Sequence, residues 1–423
     1  MTDRRTPRPS PLVLAVLGFW LVAPFLLVNR LAQDAVPFVA AGELARTDPE
    51  HVYTPTGDLF TLPEEFARVS CDVSPAGTDC TEENVAFVSP PPAIPIAVLT
   101  SVLGSTLGPL VMRLGVSACL VAGVLSLRRR LIARHPDVDG VLAVTLLLLT
   151  PMFMVPQALG QNSPLLFLSA ALGLAVADRS RPAAIGVGVL WALTVAFKLS
   201  PIVLVVVLVV RRRWTALAAG VATLAVLTLA ALPFGGVEMW RAFVESSTEL
   251  QGNWPVNPYN GSLEAFVHAL VPGTTGTATF DVVVWTVRIV LAAAMAWVAL
   301  RIDDEDSQWA FAWLGSFLLV PVVWWHYLWV AFAAVIVAMA ATTLRNRLAS
   351  PTLLVAMAAV SLPMSLVNGT GSSVPWAQFL FLVVAVAWSG RLAIATKPGT
   401  DTAGATPTAR AHAAGALDSE DRR

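Results

Sequence analysis

The chain has 423 residues, of which 56% are hydrophobic and 13% charged, with a mean hydropathy of +0.70. Soluble domains carry about 25% charged residues, so this composition excludes an ordinary soluble domain and points to lipid as solvent. A net charge of −1 excludes the broad basic field of a nucleic-acid binder, and three cysteines exclude a disulfide-rich scaffold.

Arg4, Arg5 and Arg8 precede the first apolar run, residues 11–30. It is long enough to span and lacks a clean small-x-small cleavage site, so it predicts an uncleaved first helix. A long polar segment follows over 31–107, holding Asp34, Cys71 and Cys80. A Cys71–Cys80 bridge requires an oxidising compartment, and the sequence leaves that pairing open. The segment closes on PPPAIPIAVLTSVLG, too short and proline-broken to span, which predicts an interfacial or re-entrant piece.

Further spans are predicted near 108–127, 139–156, 162–178, 182–199, 200–210 and 214–233. A second long loop covers 234–279, and spans near 280–300, 308–324, 327–344, 351–367 and 375–395 complete a total of about twelve. The fold class is an all-α polytopic membrane protein over residues 1–397, followed by an Ala/Thr/Gly-rich tail at 398–423 that reads as disordered.

Arginines set the topology. Arg128, Arg129, Arg130 and Arg134 form one cluster, Arg179 and Arg181 a second, and Arg211, Arg212 and Arg213 a third. Arg301, Arg345, Arg347, Arg391 and Lys397 follow later spans. All fall on one side if the spans alternate, and the positive-inside rule makes that side cytoplasmic. Both long loops then face outward, from a multi-pass protein of the plasma membrane.

That arrangement brings polar residues of five separate elements to the outer face. They are Asp34, Gln161 and Asn162 in ALGQNSPLLF, Lys198 in TVAFKLSPIV, the loop GNWPVNPYNGSLEAF with Trp254, Tyr259, Asn260 and Ser262, and His326 in VPVVWWHYLWV. Each has a plain alternative: Asp34 as a helix-end residue, Lys198 snorkelling to headgroups, and Trp324, Trp325 and Tyr327 as an aromatic belt. Lys198 is one of two lysines, on the side where positive charge is disfavoured. Arg113 and Arg288 fall inside spans, where ionisable groups are costly and usually functional. No P-loop, dinucleotide fingerprint or HExxH spacing is present. A transporter or lipid flippase is the main rival reading, but such proteins place their sites near the midplane, often in two related halves.

The stretch from ALGQNSPLLF through VVRRRW resembles the central segment of glycosyltransferase family 87. NPYNGSLEAFV is similar to that family's Asn-Gln-Ser-Leu loop, VPVVWWHYLWV to its Trp-His motif, and FVSPPPAIPIAVL to its Tyr-Pro-Pro stretch. The resemblance runs over about 11–395. It implies a GT-C-like bundle and a membrane mannosyltransferase of actinobacterial cell-envelope biosynthesis. The donor that the resemblance implies is a polyprenyl-phosphate sugar, and the acceptor a glycolipid or polysaccharide. Asp34 corresponds to the family's catalytic aspartate. Two departures bear on sugar choice: DAVPFVAAGEL lacks the usual tyrosines, and Gly261 stands in place of the glutamine. A polyprenyl-phosphate arabinofuranosyl donor is the alternative within the class.

These residues outline an inverting transfer. Asp34 is the candidate general base, and Lys198 and His326 stabilise charge on the departing phosphate. Gln161, Asn162, Asn260 and Ser262 hydrogen-bond sugar hydroxyls, with Trp254 and Tyr259 as stacking faces. Phosphate leaves readily, so neither a metal nor a cofactor is expected.

Overall fold

The computed structural model describes residues 9–27, 35–53, 61–74, 86–134, 139–150, 160–253, 260–324, 327–341 and 375–394. Asp34, Cys80, Trp254, Tyr259, Trp325, His326, the predicted span at 351–367 and the tail at 398–423 lie outside them. Among the described residues the chain is helical, with one isolated β-bridge.

Helix α1 (Pro11–Leu27) opens the chain. The first long loop folds largely into helices: α2 (Val36–Thr47), α3 (Glu64–Val73) and α4 (Ile94–Val102). Pro37 falls in the first turn of α2, where its missing N–H leaves no bond unmade. The proline-broken stretch becomes a 3₁₀ turn, Pro91–Ala93, running into α4. One face of α4 is buried through Ile94, Ala97 and Ser101, while Leu99 and Val102 are exposed.

Helix α5 (Gly104–Arg134) follows, then α6 (Asp139–Leu148) and α7 (Ser163–Leu172). The span expected over 162–178 stops early, because Gly173 adopts φ +69° and a Cβ there would strike Asp306. Next come α8 (Arg181–Phe197), a 3₁₀ turn Ser200–Leu204 leading into α9 (Val205–Val210), and α10 (Trp214–Ala231). The second long loop also carries helices, α11 (Gly236–Asn253) and α12 (Leu263–Leu270). Helices α13 (Ala278–Ala299), α14 (Glu305–Ser316), α15 (Leu328–Ala341) and α16 (Pro375–Ile394) complete the described set. Ser180, Ser262, Thr277 and Asp304 cap α8, α12, α13 and α14, each accepting from an amide of the first turn.

The span expected over 308–324 is also corrected. Helix α14 ends at Ser316, one 3₁₀ turn covers Phe317–Leu319, and the backbone is extended from Val320. Pro321 has no N–H to continue a helix, and Asn260 captures the strip that follows.

Among the described residues, α5, α10, α13 and α16 are long and apolar enough to cross a membrane. Only 11% and 6% of the most apolar stretches of α10 and α13 are buried, against 39% and 44% in α5 and α16, so the first two are peripheral. The centre is α15, apolar on all sides and almost wholly buried from Trp329 to Met339. Buried indoles tie elements together: Trp20 donates to Thr150 Oγ1 at 2.9 Å, and Trp309 to the Ser169 carbonyl at 2.9 Å. A second, smaller core joins the two long loops, with Leu44, Tyr53, Phe66 and Ile94 meeting Met239 and Phe243 of α11.

At one end of the bundle the arginines meet carboxylates. Arg128 pairs with Asp139 at 2.8 Å and Arg130 with Asp306 at 2.5 Å. Arg213 bridges Asp178 and Glu305, and Arg211 donates to Gln308 and to the Ile302 carbonyl. Helix α8 leaves this end at Arg181 and reaches Lys198 after seventeen helical residues, about 25 Å away along the axis.

Candidate active site

Lys198 stands where α8 stops. Its backbone turns extended, with φ −149° and ψ 127°, and the Pro201 turn sends the chain back toward the arginine end. The Trp191 indole locks this reversal by donating to the Pro201 carbonyl at 2.8 Å. The half-buried Lys198 ammonium lies 4.7 Å from the centre of the Tyr327 ring, a cation–π contact.

Tyr327 is buried, with its ring stacked on Phe317 at 5.1 Å between centroids. This overturns the aromatic-belt reading for that residue: its ring forms a floor under the lysine. Trp324 is half-buried and faces the same space. The Tyr327 amide donates to the Trp324 carbonyl at 2.9 Å, so the two flanks of the Trp325–His326 pair are close together.

Between these groups lies a cavity of about 410 Å³, within the range of small-molecule sites. Lys198, Ser200, Trp324 and Tyr327 line it, together with Phe243, Ser247 and Thr248 of α11 and Val88 and Pro90 of the first loop. Both long loops therefore contribute to its wall. Phe38 of α2, four residues beyond Asp34, packs its ring on Phe197 at 5.4 Å, next to Lys198 in the chain. Behind the wall, Tyr53 packs on Phe243 at 5.4 Å and donates to the Ser89 carbonyl at 2.6 Å. Burial pushes the Tyr53 phenol well above its usual range, so it remains a protonated donor.

Asn260 is fully buried and supports the cavity from behind. Its Nδ2 donates to the Pro321 carbonyl at 2.9 Å, while its Oδ1 accepts from Val323 N at 2.9 Å and Ser262 N at 3.1 Å. Gly261 N donates to the Val323 carbonyl at 2.7 Å, next to the isolated β-bridge between Asn260 and Trp324. Ser262 is buried as the cap of α12. Neither Asn260 nor Ser262 lines the cavity. A Cβ on Gly261 would strike the Gln378 side chain, and Gln378 Nε2 donates to the Val323 carbonyl at 3.3 Å.

Gln161 and Asn162 open α7, whose far end meets Arg130 through the Leu172 carbonyl, so they share the lysine end. They do not line the cavity. Asn162 Oδ1 and Ser163 Oγ are buried without a hydrogen-bond partner among the described residues. Arg288 pairs with Glu264 and lies 5.2 Å from the Trp285 ring centre, which ties α13 to α12. Cys71 is disulfide-bonded and Cys119 is free. Asp48, Glu50 and His51, with ligand atoms within 4.8 Å of one another, form the one metal-capable grouping among the described residues. They sit on a short turn away from the cavity.

Sequence reasoning missed Gln378, Ser247 and Thr248. Gln378 carries no local signal, since its role depends on the glycine at 261. Ser247 and Thr248 are signalled only by the helical spacing from Phe243 that places them on one face of α11.

These features define a helical membrane protein with a lysine-bearing cavity roofed by two structured loops. The profile of glycosyltransferase family 87 matches residues 87–323, more than half of the chain, and the protein belongs to that family. The matched range includes Lys198, the Gln161–Asn162 turn and the Asn260 loop, and it ends just before Trp324. Neither the curated proteins nor the solved structures yield a match to the chain.

Proposed function

We propose that this glycosyltransferase transfers mannose from a polyprenyl-phosphate donor to a glycolipid or polysaccharide acceptor, with inversion, in the Lys198 cavity. In this reading residues 1–397 form one GT-C-like unit of about twelve crossings. The arginine end is cytoplasmic in the plasma membrane and the cavity extracytoplasmic. A disulfide at Cys71, in the loop that helps roof the cavity, favours an oxidising compartment on that side.

The observation that carries the reading is the position of Lys198: half-buried, over an aromatic face, on the wall of a cavity of about 410 Å³. An ammonium there stabilises the charge that grows on a departing phosphate, most strongly where water is excluded. His326, between two residues that face the lysine, shares this role or returns a proton to the phosphate. Asp34, adjacent in sequence to α2, takes the acceptor proton late, once the oxocarbenium-like carbon has acidified the attacking hydroxyl. A carboxylate of ordinary pKa near 3.9 suffices for late transfer, and partial desolvation strengthens it as a base.

Asn260 and Ser262 act by holding the 320–324 strip, a positioning role. Gln161 and Asn162 supply hydrogen bonds to sugar hydroxyls or to the acceptor, and Trp254 and Tyr259 supply stacking faces. The test is transfer by purified, reconstituted protein from labelled polyprenyl-phosphate mannose, with the arabinofuranosyl donor in parallel. Mannosylated product supports the proposal. Product only from the arabinofuranosyl donor overturns the sugar assignment, and donor translocation without product overturns the reaction.

A further inference from the structure

A second cavity, of about 640 Å³, lies between α13, α14 and α16. Its wall is aliphatic and aromatic, including Leu291, Met295 and Val298 of α13, Phe311 of α14 and Val386 of α16, and among the described residues Arg391 is the one charged residue lining it. Helix α13 buries only 6% of its most apolar stretch, so the groove opens to the periphery of the bundle.

Its length and its mouth identify what fits. From Val383 to Ile394 the groove follows α16 for about 16 Å, close to half of a hydrocarbon core of about 30 Å. That is the depth of one leaflet. The mouth is at the arginine end and is cationic. Arg391 is exposed there, and Arg301, one turn past Val298, lays its guanidinium on the Trp297 ring at 3.5 Å. Arg128, Arg130 and Arg213 at the same end are bound to carboxylates. Arg301 and Arg391 make no ion pair with a described residue, and exposed Asp303 is the acidic group nearest to Arg301 in the chain.

We propose that this groove holds one acyl chain of an anionic phospholipid from the leaflet at the arginine end, with its phosphate between Arg301 and Arg391. Guanidinium groups fit phosphate oxygens through paired N–H donors. An anionic headgroup adds net attraction that a zwitterionic one lacks. A single-leaflet lipid matches a groove of this depth. This lipid is distinct from the sugar donor, which the other end of the bundle receives.

The test uses delipidated full-length protein and native mass spectrometry, with phosphatidylglycerol or phosphatidylcholine of matched chains. We expect one phosphatidylglycerol adduct, formed about tenfold more tightly than that of phosphatidylcholine. Arg391→Ala with Arg301→Ala removes this preference, while the paired lysine substitutions keep it, which separates charge from folding. Ala294→Phe, at the exposed rim, displaces the first adduct of either lipid. Equal affinity for the two lipids, or indifference to these substitutions, would overturn the proposal. So would a photo-cross-linker at Ala387 that captures residues 342–374 of the same chain instead of lipid.

Discussion

At the arginine end, Arg128, Arg130 and Arg213 each meet a carboxylate from another element. At the opposite end, Lys198 lies against a tyrosine ring on the wall of a cavity. The contrast separates two uses of positive charge. Paired arginines fix which helix ends come together, and they leave little field for a ligand. Lys198 instead sits on a cavity wall above an aromatic face, next to whatever fills the hollow. The polar loops differ in the same way: Asn260 directs its amide into backbone it must hold, while Ser247 and Thr248 open onto the cavity.

The comparison breaks most severely at Asp34. Asp34→Asn should lower transfer by about 10²–10⁴-fold, the usual contribution of a general base, measured as labelled product from reconstituted protein with donor binding retained. Wild-type turnover by this variant would remove the base assignment. Asn260→Ala comes next. It leaves the Pro321 carbonyl and the Val323 and Ser262 amides without their side-chain partner. We expect a loss of about 2–3 kcal/mol in stability, read from the unfolding midpoint in detergent, together with weakened transfer. An unchanged midpoint would mean that another group holds the strip.

A smaller effect sharpens the other side of the comparison. Arg130→Gln breaks a partly buried pair with Asp306 and should cost about 1–2 kcal/mol, with KM for the donor unchanged. A raised KM would show that the arginine end is not merely structural. Sidedness has its own readout. A cysteine at Ser200 should react with an impermeant maleimide added outside intact cells, and one at Asp303 only after permeabilisation. The reverse pattern would invert the proposed orientation.

The long apolar helices were readable in the sequence because lipid demands length and uniformity. The predicted 280–300 and 214–233 spans agree with Ala278–Ala299 and Trp214–Ala231 to within about two residues at each end. Readability failed where tertiary contacts overrode apolar composition. Residues 320–324 look like the end of a span, but Asn260, some sixty residues away in the chain, holds them as an extended strip. Gly173 ends α7 inside an apolar run for a conformational reason that hydropathy does not register. The loops hid helices such as α3 and α11, whose packing partners come from distant segments. At the site, Lys198 and the Asn260 loop were legible as unusual residue types, whereas the division of labour between them was not. One lines the cavity, and the other braces it.

The most direct measurement is kcat/KM for polyprenyl-phosphate mannose with Lys198→Ala in proteoliposomes. The proposed role predicts a fall of about 10²–10³-fold, partly recovered by Lys198→Arg, with folding unchanged. Wild-type kcat/KM in the alanine variant would contradict the placement of the donor phosphate at this end of the bundle.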